Sequence, residues 1–185
     1  MNDAIITLGL PCAGRTTLLD AQFSLYTKIS ADDLKESHPD YVPENTAPIH
    51  EWSVKKARTE LFRHLEKNTD VVFDSGSINN RYSINIMKEI RDKYPDCTVT
   101  LIWVRTPFQI CLERNANRFR KVPDYAITDK AVKEVSQFNI LSEYADNIKI
   151  VSYFTNKHIF TDMDGVLAAQ TTLPIINGEI DFVNG

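Results

Sequence analysis

Gly9-Leu10-Pro11-Cys12-Ala13-Gly14-Arg15-Thr16 has the spacing G-x-x-x-x-G-[K/R]-[S/T], between an apolar run (Ile5-Ile6-Thr7-Leu8) and a helix-forming stretch. In that context the spacing describes a phosphate-binding loop. The glycines let the backbone curl so that its N–H groups point at phosphate oxygens, and the following helix N-terminus adds a favourable dipole. Gly9, Pro11, Cys12, Ala13, Gly14, Arg15, Thr16 and Thr17 are the expected nucleotide-binding residues, with Thr16 giving its hydroxyl to Mg²⁺. Arg15 departs from the usual lysine. A guanidinium is wider and planar where an ammonium is a compact point charge, so nucleotide binding is expected and efficient transfer is left open.

Carboxylates and arginines recur where such a loop would need them. Ser30-Ala31-Asp32-Asp33-Leu34-Lys35 follows a second strand candidate, Tyr26 to Ser30. A carboxylate there shares the rim of a parallel sheet with the loop, and Asp32 is suited to accept the proton of an attacking hydroxyl. An acidic first helical turn capped by Ser30 reads equally well. Asp74 also ends a strand; it would orient Mg²⁺ through water, bind acceptor or cap a turn. Arg114 and Arg118 lie four apart after Pro107, which on a helix puts both on one face with Asn115 and Asn117 alongside. With Arg120 and Lys121 they suit a lid that stabilises a transferring phosphoryl group. A solvated basic face is the plain alternative.

A second constellation begins at His158-Ile159-Phe160-Thr161-Asp162-Met163-Asp164-Gly165-Val166-Leu167, a short apolar strand followed by D-x-D-G-V-L. In phosphotransferases of that pattern the first aspartate attacks phosphorus and the second moves the proton. Asp162 and Asp164 can also gather Mg²⁺. The sites that would complete this chemistry do not follow, so the segment reads as the opening of a phosphatase.

The elements that must position these residues alternate. Strands are expected at Ile5–Leu8, Tyr26–Ser30, Val71–Phe73, Val99–Val104 and Ile148–Val151, with a mostly looped stretch over 37–49. Helical stripes run through Val54, Ala57, Leu61 and Leu65, through Tyr82, Ile86 and Ile90, and through Val132, Val135, Phe138 and Leu141. Five strands separated by helices give an α/β fold, a five-stranded parallel sheet with helices on both faces. At 185 residues, 43% hydrophobic, the chain supports one full core, and a boundary is expected near Asn156.

The net charge of −4 argues against a broad nucleic-acid-coating surface but allows a narrow basic tunnel for a strand end. Cys12, Cys97 and Cys111 have no metal-ligand spacing and read as small core or loop residues. No apolar run is long enough to span a bilayer and the start lacks a signal-peptide pattern, so no membrane association and a cytoplasmic location are expected.

The order of parts resembles phage-type polynucleotide kinase–phosphatases, which join an N-terminal P-loop kinase to a C-terminal haloacid-dehalogenase-type phosphatase. The resemblance covers nearly all of residues 1–155 in layout, leaving 156–185 as a linker and the first strand and motif of an incomplete phosphatase domain. The family's loop falls on Gly9 to Thr16, with Arg15 in place of its lysine. Its acceptor-activating aspartate falls on Asp32, and its lid arginines on Arg114 and Arg118, followed by Val122-Pro123. Its acceptor-phosphate arginine is matched only by Lys35, which joins Asp74, from its strand end, as a candidate acceptor contact. The resemblance implies ATP and Mg²⁺ as cofactors, and transfer of the γ-phosphate to a 5′-hydroxyl end of DNA or RNA in end repair. For a phage gene this would happen in the host cytoplasm, and a complete phosphatase half would allow homo-oligomers. Two alternatives stay open: a P-loop kinase of a small acceptor (nucleoside, nucleotide or sugar), and a nucleotide-binding module weakened in catalysis by Arg15.

Overall fold

The computed structural model describes residues 2–42, 45, 47–76, 80–119 and 121–153. The expectations for 156–185, Asp162 and Asp164 included, and for Arg120 lie outside the described residues.

Five short apolar runs become strands: β1 (Asp3–Leu8), β2 (Thr27–Ser30), β3 (Val71–Asp74), β4 (Thr98–Arg105) and β5 (Asn147–Ser152). They pair in parallel in the order β2-β3-β1-β4-β5. Val71, Val72 and Phe73 of the interior strand β3 are buried, as a parallel sheet covered on both faces requires. Register is explicit where it matters. Ile6 lies beside Phe73, and Ser30 beside Asp74, so the strand ends carrying polar residues reach the same rim.

The helices are α1 (Arg15–Gln22), α2 (Ala31–Glu36), α3 (Ala47–Leu65), α4 (Asn80–Lys93), α5 (Phe108–Ala116) and α6 (Asp124–Ser142). One sheet face, through Ala4, Ile6, Val71, Phe73, Val99 and Leu101, packs on Ala57, Leu61 and Leu65 of α3 and on Ile86, Met87 and Ile90 of α4. The other, through Ile5, Val72, Ile102 and Val104, packs on Leu18 and Leu19 of α1 and Cys111 of α5. Connections leave β1 and β3, which are adjacent, toward opposite faces. That divergence opens a crevice at their carboxyl ends.

Two sequence expectations need correction. α3 starts at Ala47, inside the proline-rich stretch; Pro48 sits in its first turn, where a missing N–H costs nothing. The stripe expected on α6 is also wrong in part, because Val132 is 80% and Val135 55% exposed while Glu134 and Gln137 are buried. The reason is that α6 serves both cores. Its start enters one through Ile127, its end enters the other through Leu141, and between them it must pass a polar spot. There the Trp103 indole Nε1–H donates to Glu134 Oε1 at 3.0 Å, which satisfies a carboxyl that burial would otherwise penalise. Among the described residues no helix is long and apolar enough to cross a membrane.

Val132→Lys should therefore change stability by less than about 0.5 kcal/mol. Leu141→Ala should cost about 2–5 kcal/mol. Urea unfolding measures both, and a large loss for Val132→Lys would show that this face of α6 is covered.

Candidate functional site

The loop between β1 and α1 turns at Gly9, whose φ of 151° is one that L side chains rarely adopt; a Cβ there would lie 2.7 Å from the Val104 carbonyl oxygen. Glycine is required on both counts. The loop ends at Gly14 (φ 98°), which caps α1 without a side-chain hydrogen bond. The first amides of α1 thus carry no oxygen from the capping side chain, and at a helix N-terminus they attract anions. Thr16 and Thr17 are exposed in that first turn.

Three groups fasten the loop. The buried Thr106 hydroxyl, just past β4, donates to the Ala13 carbonyl at 2.7 Å. Arg114 Nη1 donates to the carbonyls of Cys12 and Ala13 at 3.1 and 3.3 Å. Arg15 folds back beneath the loop: its Nε donates to Asp74 Oδ1 at 2.9 Å, and its Nη1 to the carbonyls of Gly9 and Leu10. The same Asp74 oxygen accepts the Thr7 hydroxyl at 2.8 Å. Side-chain exposure is 18% for Arg15 and 7% for Asp74, so this ion pair is largely shielded from water. Asp74, expected as an acceptor contact, is engaged inside the loop.

The crevice over the loop holds a cavity of about 730 Å³. The loop and the start of α1 line one side; Ser30, Asp32, Asp33 and Glu36 line another; Asp74, Ser75 and Gly76 lie at the base, and Arg114, Arg118, Val122, Lys130 and Tyr153 complete it. Ser30 Oγ caps α2 by accepting the Asp33 N–H at 3.2 Å, and Asp32 still lines the cavity. Asp32 is held by Lys35, whose Nζ donates to Oδ1 at 2.8 Å. Lys35, expected to bind acceptor phosphate, is itself buried in that pair. Asp33 is raised above the usual carboxylate range by burial, with Lys28 opposing and Asp74 adding.

The arginine pair needs a correction. α5 ends at Ala116, so Arg118 lies past its C-cap, Asn117, and not on the helix. Its Nη1 nonetheless reaches Cys12 Sγ at 3.4 Å, and Arg114 and Arg118 both meet the loop. Asn115 does not flank them either. It is buried, and its side chain donates to the Val122 carbonyl and Asp124 Oδ1 (2.7 and 3.1 Å) while accepting the Val122 N–H at 2.9 Å. This amide ties the end of α5 to the start of α6. Cys97 and Cys111 are buried, as expected for core thiols, and burial pushes them up to about 11 and about 12.

No family model and no curated protein sequence matches the chain. Solved structures do. A chain of the PezAT chromosomal toxin–antitoxin system of Streptococcus pneumoniae is 15% identical with a TM-score of 0.61, over 88% of this chain and 75% of that one. A chain of the Pnkp1/Rnl/Hen1 RNA repair complex is 17% identical with a TM-score of 0.55, over 89% of this chain and 53% of that one, about half its length. Shikimate kinase from Acinetobacter baumannii, in complex with shikimate, is 17% identical with a TM-score of 0.50, over 85% and 86%. This is the P-loop kinase fold.

Seen as a P-loop kinase fold, the crevice has three features that sequence spacing did not indicate. Asn115 looked like part of a polar face, and Thr106 carried no signal of its own. Lys130 lay in a helix judged by its apolar stripe; its i+4 spacing from Glu134, once Glu134 is known to be buried, is the signal that would have pointed it inward.

Because Arg15 is built into the P-loop, Arg15→Ala should destabilise the protein by about 3 kcal/mol by stranding Asp74. Arg15→Ala with Asp74→Ala should recover part of that loss. Urea unfolding of the set decides it, and unchanged stability of the single variant would mean that the pair does not hold the loop.

Proposed function

We propose that this protein is an ATP- and Mg²⁺-dependent kinase of nucleic-acid 5′-hydroxyl ends, with residues 1–155 as the kinase domain. The observation that carries this reading is that one cavity joins the uncapped start of α1 to Asp32, with Arg114 and Arg118 against the loop between them. The donor set fits a nucleotide: free first-turn amides and two arginines for phosphate oxygens, and an exposed Thr16 hydroxyl for Mg²⁺.

When bound, ATP supplies the phosphoryl group and Mg²⁺ offsets its charge. Asp32 would accept the proton of the acceptor hydroxyl as its oxygen bonds to the γ-phosphorus and the bond to the β–γ bridging oxygen breaks, with ADP leaving; Lys35 holds that carboxylate in place. The α1 amides orient the phosphates, and Arg114 and Arg118 stabilise charge on the group in transit. Exposed aromatic faces at Phe119 and Tyr125, beside the lid, favour a nucleic-acid acceptor, because bases stack on such faces whatever their sequence. Likeness to a chain of an RNA repair complex supports the same choice. Residues 156–185 would then open a phosphatase domain around Asp162 and Asp164.

A second reading, nucleotide binding without transfer, is favoured by the engagement of Arg15 with Asp74 and the loop carbonyls. A kinase of a small acceptor is favoured by the likeness to shikimate kinase.

Labelled γ-phosphate separates these readings. Transfer to a 5′-hydroxyl oligonucleotide in preference to free nucleosides or sugars is the expected result, and labelling of small acceptors alone would reject the polynucleotide reading. Asp32→Ala should lower kcat by about 10²–10⁴ with little change in ATP affinity. Equal loss in both would count against Asp32 as the base.

A further inference from the structure

The usual lysine of a phosphate loop is a flexible cation that reaches the terminal phosphates. Here the residue at that position is a structural cation. Arg15 is bound by a carboxylate and two loop carbonyls and is mostly covered, and turning it outward would leave Asp74 buried without its guanidinium. The loop therefore lacks a mobile charge of its own. Arg114 gives its Nη1 to two loop carbonyls, so its position too is set by the loop.

Lys130 is placed to fill that role. It lies on α6 one helical turn before Glu134, whose carboxyl accepts the Trp103 indole N–H and is also favoured by the Leu10 amide of the loop. The face of α6 carrying both residues is thus fixed over the loop. Lys130 is half-buried and lines the cavity, with Arg15 toward the loop side and Asp32 and Lys35 toward the acceptor side among the charges that act on it. Among the described residues its ammonium makes no hydrogen bond or ion pair, whereas Lys35 is engaged by Asp32. Burial, then the nearby Arg15, lowers Lys130 below the usual lysine range, while Asp32 opposes them. A half-buried ammonium without a close partner gains from an arriving anion.

We propose that Lys130 binds the terminal phosphate of the nucleotide in place of the phosphate-loop cation, and so sits between donor and acceptor. The proposal rests on the nucleotide-binding reading of the cavity. Lys130 lines this space from α6, so the phosphoryl group would be gripped between α1 amides and an α6 ammonium.

The test is titration calorimetry of the full chain with Mg²⁺ and either ADP or a non-hydrolysable ATP analogue, native beside Lys130→Met and Lys130→Arg. Lys130→Met keeps the aliphatic stem, and its unfolding curve checks the fold. The expected result is binding of the ATP analogue weakened by about ten- to a hundredfold in Lys130→Met, with ADP altered less than about twofold. Lys130→Arg should retain the preference for the triphosphate. Equal weakening of both nucleotides, or no weakening of either, would overturn the role of Lys130 while leaving the nucleotide site standing. If the native chain binds neither nucleotide, the nucleotide reading fails and this proposal with it.

Discussion

The shielded ion pair between Arg15 and Asp74 ties the loop to the sheet, and the geometry of the crevice follows from it. Asp74 ends β3, Thr7 lies near the end of β1, and Arg15 opens α1. Joined through one carboxylate oxygen, these groups lock two adjacent strands and the helix that leaves them. Such a pair pays a desolvation cost, but removing one partner costs more, because the other charge is stranded. The loop carbonyls of Gly9 and Leu10 add acceptors for the same guanidinium, so the curl of the loop and the position of α1 are set together.

A second layer of fastening comes from the far end of the chain. Thr106 and Arg114 bind the outer carbonyls of the loop, and Asn115 joins α5 to α6 through Val122 and Asp124. α6 then crosses from one core cluster to the other, passing the loop at Glu134. This side of the cavity is thus carried by a helix anchored at both ends, and Lys130 and Val122 inherit their positions from it.

The strands were legible because each is a short apolar run whose ends carry turn residues or carboxylates, and all five expected runs pair in the sheet. The loop was legible because its spacing is bound to one strand–loop–helix context. Asp32, Arg114 and Arg118 do converge on the same cavity. What stayed hidden depends on packing between distant segments. Nothing local says that Arg15 will turn under its own loop toward a residue fifty-nine positions away. Nor does the 3.6-residue period reveal that α6 buries Glu134 and Gln137 while exposing Val132 and Val135; at Glu134 a hydrogen bond from Trp103 reverses the ordinary preference.

That hydrogen bond also gives the molecule an internal optical gauge. Of its two tryptophans, Trp52 is 41% exposed and Trp103 only 4%. Trp103 stacks on Phe138 at 4.5 Å and donates its indole N–H to the Glu134 carboxyl. An indole so placed senses the electric field and packing where β4 meets α6, so a shift of α6 alters its emission while Trp52 reports the outer side of α3.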